Sequence, residues 1–114
     1  MIMKEITDDV MKQLLMTTKA FTAVILKKGP QFNNAESKPI LWEHARRNMQ
    51  LREEGLLSVV FPINSETEMA GIGIFNADAE QTKHIIEGDP AIERNVLIYE
   101  IYPTRSFPGD KLPG

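Results

Sequence analysis

The apolar positions of this chain follow two rhythms that alternate along its length. Lys19 to Lys28 (KAFTAVILKK) is apolar, rich in β-branched residues and stops at Gly29-Pro30, which predicts a strand with a firm end. Residues 29–38 have the composition of a loop. From Pro39 to about Glu54 the spacing changes to threes and fours. This predicts a helix with proline in its first turn and Gly55 closing it. Its main apolar stripe is Leu41, Ala45 and Met49, with Trp42 beside it. A bordering stripe of Ile40, His44, Arg47 and Leu51 puts His44 at the edge of the buried face. Leu56 to Phe61 predicts a strand ended by Pro62, Ile63 to Met69 a polar hairpin loop, and Ala70 to Phe75 the returning strand. Asp78, with Gln81 three residues on, opens a third helix in the manner of a capping box. Ala79, Thr82, Ile85 and Ile86 are expected to face inward there. Asp89-Pro90 breaks that helix, and Val96 to Tyr102 is the last strand. Ahead of all this, residues 4–18 predict an amphipathic helix with Thr7 as its N-cap. Asp8 and Asp9 sit at the positive end of its dipole, and Ile6 and Met11 at its staple positions. Val10, Met11, Leu14 and Leu15 form its stripe.

The order is a helix, then βαββαβ with a hairpin in the middle. The expected fold class is α+β: a ferredoxin-like arrangement with an antiparallel four-stranded sheet and an extra N-terminal helix. Residues 1–114 are read as a single domain, with the core at 19–103 and an irregular tail at 104–114. The first and last strands are apolar in both parities: Phe21, Ala23 and Ile25 alternate with Val24 and Leu26, and Leu97, Tyr99 and Ile101 with Val96, Ile98 and Tyr102. Both faces of the sheet therefore call for cover. A second copy is the simplest cover for the face without helices, so a homodimer is expected.

Composition narrows the chemistry. The chain has 114 residues, 42% of them apolar, enough for one core without staples. It has no cysteine, which removes disulfides and thiolate metal sites and fits a cytoplasmic protein. The stretch MIMKEITDDVMKQLL is acidic and lacks the apolar core of a signal peptide. No run reaches the roughly 20 apolar residues of a membrane helix. Net charge is −3 with scattered basic residues, and no strand carries RNP-type aromatics, so no nucleic-acid partner is expected. His44 and His84 lie on different helices without metal-ligand spacing, and His84 is expected in solvent. Gly71 and Gly73 alternate within a strand and do not form a phosphate loop. There is no nucleophile elbow. No cofactor and no metal are expected.

Histidine is the side chain best suited to proton transfer at neutral pH, so His44 is the leading candidate. Its other reading is a packed, hydrogen-bonded helix residue. Asp89 reads first as a turn and cap residue before proline. Arg46 and Arg47 read as a solvated helix face or as contacts for an anionic substrate, Arg47 being the better placed. Asn33 and Asn34 read as turn formers, and Tyr99 and Tyr102 as packing.

The helix HARRNMQLREEG, the strands LLSVVFP and GIGIFNAD, the element GDPAI and a closing strand ending in Tyr-Pro resemble, in order and spacing, the YciI-like (YCII-related) family. The resemblance covers about residues 19–103. It implies the dimeric α/β-barrel superfamily and a His/Asp pair in a cleft beside the sheet. His44 matches the family's histidine by its distance from Gly55, and Asp89 matches the aspartate of its small-Asp-Pro element. One similar member of that family is a dehydrochlorinase. The helix at 4–18 and the tail SFPGDKLPG extend beyond the minimal fold. Two functional classes follow. One is a small-molecule enzyme of lyase or isomerase type, with His44 as general base or acid, Asp89 as its orienter and Arg47 as an anion contact. The other is a non-catalytic dimeric module that binds a small ligand or a partner, with the pair purely structural.

Overall fold

The computed structural model describes residues 5–114. Along the chain it contains α1 (Asp8–Met16), β1 (Lys19–Lys28), α2 (Ser37–Glu53), β2 (Leu57–Pro62), β3 (Met69–Phe75), α3 (Ala79–Glu87), α4 (Pro90–Glu93) and β4 (Leu97–Ser106). Of the helix expected at 4–18, residue 4 lies outside the described residues, and α1 itself is shorter at both ends, with Thr7 and Thr17 as its caps. Thr7 caps α1 as expected, its hydroxyl accepting from Val10 N–H at 3.3 Å. Ile6, Met11, Leu14 and Leu15 nevertheless stay exposed, so the apolar stripe of α1 is uncovered in a single chain. Among the described residues no helix is long and apolar enough to cross a membrane.

β1 is the spine of the sheet. It pairs antiparallel with β3 on one side and β4 on the other, and β2 adds to β3, giving the order β2-β3-β1-β4. This is an α+β architecture with a four-stranded antiparallel sheet, compatible with a ferredoxin-like fold. Helix-to-strand packing runs through α2, α3 and α4. Val24, Leu57 and Phe75 from the strands meet Leu51 of α2 and Ile86 of α3 in the core. Burying a side chain of this kind contributes roughly 1.5–3 kcal/mol. On the other face Phe61, Ile98 and Tyr102 are exposed, and Ile25, Ile72 and Ile74 are half-buried.

Four details differ from the pattern. First, α2 starts at Ser37, whose side chain is buried, so Pro39 lies inside the first turn and does not open it. Gly55 follows the C-cap Glu54 at φ +78°, the left-handed geometry that glycine allows. Second, the bordering stripe of α2 is the more deeply packed of the two. Leu51 is buried, and Ile40, His44 and Arg47 are half-buried; in the other stripe Leu41 is half-buried, and Ala45 and Met49, like Trp42, are exposed. His44 thus lies on the packed face. Leu41, Ala45 and Met49 still face the sheet, across an open cleft. The half-buried His44 and Arg47 have partners on other elements. Third, Asp89-Pro90 starts the one-turn helix α4, with proline in its first turn. Fourth, β4 runs through Pro103 to Ser106 along β1 as far as Lys19, so the strand takes in residues 104–106 of the expected tail. Pro103 is tolerated because β4 is an edge strand, where a missing N–H need not break a ladder.

Candidate functional site

Asp89 is held by the turn between α3 and α4. Its backbone N–H bonds Ile86 O at 3.0 Å, and its Oδ1 accepts from Ala91 N–H at 2.9 Å as the N-cap of α4. The side chain is 1% exposed. α4 packs against α2, which brings the second carboxylate oxygen to His44 on the packed face of that helix. His44 Nδ1 and Asp89 Oδ2 are 2.6 Å apart. A carboxylate oxygen only accepts, so Nδ1 carries the proton and the lone pair stays on Nε2. Asn48, one turn along α2, donates from Nδ2 to that Nε2 at 3.3 Å. The ring is therefore fixed at both nitrogens, with its basic atom on the side of Asn48.

His44 and Asn48 line a cleft of about 490 Å³ between α2 and the β1-β3-β2 side of the sheet. That size is ordinary for a small-molecule site. Most of its wall is apolar, from residues such as Leu41, Met49, Val60 and Leu97. Gly71 and Gly73 line it too, and the cleft is open there because β3 carries no side chain at these positions. A Cβ on Gly73 would come within 3.3 Å of Leu57 Cδ1 and Phe75 Cε1 and press into the wall.

Arg47 takes a different position. Its Nη2 donates to Ile85 O at 2.8 Å, at the C-terminal end of α3, where a cation is favoured by the dipole. Gly88 makes room for it, since a Cβ there would lie 3.0 Å from Nη2. Arg47 is not among the residues lining the cleft. The structure thus joins His44 to Asp89 and places Arg47 behind them as a tie between α2 and α3. Arg46 is exposed beside Glu43 at 3.4 Å, and His84 is exposed on α3. Asn34 builds a turn, its Oδ1 accepting from Glu36 N–H at 3.0 Å. Tyr99 packs against the core, where burial, reinforced by the Glu87 carboxylate, pushes its phenol above the ordinary range. Among the described residues no cluster of three or more His, Cys, Asp and Glu residues is arranged to hold a metal ion.

Sequence reasoning missed two residues of the cleft. Asn48 stands at the i+4 position from His44, a spacing that puts both on one helix face and was available to find it. Lys28 closes β1 with the parity of Val24 and Leu26, the side that faces the helices. Neither a protein-family model nor a curated protein sequence matches this chain.

Proposed function

We propose that this chain is a YciI-like protein of the dimeric α/β-barrel kind that processes a small molecule by proton transfer. His44 acts as general base and then acid through Nε2, and Asp89 is its orienter. The chemistry is of lyase or isomerase type: a carbon-bound proton leaves to Nε2 and returns at another atom, or a leaving group departs. The observation that carries this reading is the 2.6 Å contact of His44 Nδ1 with a buried carboxylate beside an apolar cleft. A carboxylate in that place fixes the tautomer and stabilises the imidazolium formed when Nε2 takes a proton. The likeness of HARRNMQLREEG and GDPAI to the family's His and Asp elements supports it. The sheet order and the uncovered apolar face support the ferredoxin-like core and a homodimer joined face to face.

The test is a thermal-stabilisation screen with small carboxylates, phenols and lactones, followed by NMR of each hit in deuterated water. The wild type is expected to exchange a carbon-bound hydrogen of at least one hit. His44→Ala should lose that exchange by at least about 100-fold. Equal exchange by His44→Ala, or no exchange with any hit, would remove the enzyme reading. One observation favours the alternative of a non-catalytic binding module. Asp89 already has a structural task as the cap of α4, and its contact with His44 clamps α4 to α2. In that case ligands stabilise the protein and none is turned over.

A further inference from the structure

We propose that Lys28 is the anion-recognising residue of the cleft, and that the ligand is a flat, apolar monocarboxylate. This inference rests on the cleft being the ligand site. Among the described residues Lys28 is the one lysine or arginine lining the cleft, and no aspartate or glutamate lines it. The contrast with its neighbour in sequence is direct. Lys27, on the opposite sheet face, holds Glu100 at 3.0 Å and Glu68 at 3.8 Å. Lys28, half-buried on the cleft face, has no carboxylate within 4.0 Å among the described residues and is fixed by neutral groups. Its Nζ donates to Ser65 O at 3.0 Å and lies 5.4 Å from the centre of the Phe32 ring. An ammonium has three donors, so a positioned cation with unused donors faces a wall that is otherwise mostly apolar. That combination selects a ligand with an apolar body and one anionic group. The shape follows from Gly71 and Gly73, which leave the β3 wall without side chains and suit a flat ring system. Bound this way, the ligand has its charge at the end of β1 and its body along the wall that holds His44.

Isothermal titration of the full chain with 2-naphthoate and with its neutral analogue naphthalene-2-carboxamide tests this. The wild type is expected to bind the carboxylate about tenfold more tightly, the usual gain from a hydrogen bond to a charged partner. Lys28→Met should erase the preference by lowering naphthoate affinity to about that for the carboxamide, and Lys28→Arg should retain it. Ala45→Phe, which fills the cleft from the exposed side of α2, should weaken both probes. His44→Ala should keep the naphthoate preference while losing hydrogen exchange, so this inference and the proton-transfer reading fail separately. No binding of either probe, no preference in the wild type, or a preference that survives Lys28→Met would overturn the proposal.

Discussion

The two faces of the sheet have nearly the same apolar content and opposite fates. On one, Val24, Leu57 and Phe75 are covered by α2 and α3, and polar groups buried with them find partners, Asp89 in His44 and Ala91 and Arg47 Nη2 in Ile85, while Arg47 Nη1 and Thr82 Oγ1 have none among the described residues. On the other, Val59, Ile74, Ala23 and Tyr102 line up across the four strands, with no helix over them among the described residues. The polar trio of Lys27, Glu100 and Tyr102 lies on that open face. Hydrogen bonding with Lys27, then with Tyr102, holds the Glu100 carboxyl below its ordinary range. The Glu100 hydrogen bond likewise raises Lys27 and Tyr102. The comparison teaches that apolar alternation alone does not tell which face the chain covers itself. Buried, partnered polar groups mark the face that the chain covers itself.

The largest expected effect is at the clamp of the covered face. Asp89→Ala removes the cap of α4 and the partner of His44, and should cost about 3 kcal/mol in urea unfolding, at the low end for breaking a buried pair. A loss below about 1 kcal/mol would show that α4 is held by packing alone. Next is the open face. Ile74→Lys puts a charge at its centre and should weaken self-association about 100-fold, or about 2.7 kcal/mol, measured by sedimentation. A wild type that sediments as a monomer at micromolar concentration would end the face-to-face dimer. His44→Ala should cost about 1–2 kcal/mol, because it strands a buried carboxylate oxygen. The covered face therefore does not offer a choice between a functional His44 that leaves stability unchanged and a structural one that does not. Hydrogen exchange, and not the melting temperature, separates the two. The smallest effect is alkaline. Tyr99 has a raised phenol, so the folded state favours its neutral form. That contribution is complete below the ordinary value of 10.0 and is lost as pH rises through the raised one. The wild type should lose stability more steeply than Tyr99→Phe as pH rises past the ordinary tyrosine value of 10.0, with a residual slope from Tyr102 on the open face. Identical slopes would mean that Tyr99 is solvated.

The motifs that carry the candidate site were legible because local chemistry writes them. Asp78 and Thr7 cap their helices through their own side chains, and the dipeptide Asp89-Pro90 is a boundary in any context. The residues that close the cleft were legible only in part. Asn48 shares the helix face of His44 and Lys28 the parity of Val24 and Leu26, but only the seating of α2 over β1 and β3 turns the two toward one space. Arg47 shows the same limit from the other side. Its stripe on α2 was right, but a carbonyl at the C-terminal end of α3 decided what it holds.

By itself, then, the sequence determined the three longer helices, the four strands and their order, because periodicity, caps and proline breaks act within a few residues, and from that order the antiparallel pairing. It also singled out His44 and Asp89. Tertiary structure decided which stripe of α2 is packed, that Asp89 caps a further helical turn, how far β4 follows β1, and which cation faces the cleft. Most of these depend on contacts between elements far apart in the chain, as Lys28 meets Ser65 across 37 positions, Arg47 meets Ile85 across 38 and His44 meets Asp89 across 45. Spacing within one element carries no information about such a meeting.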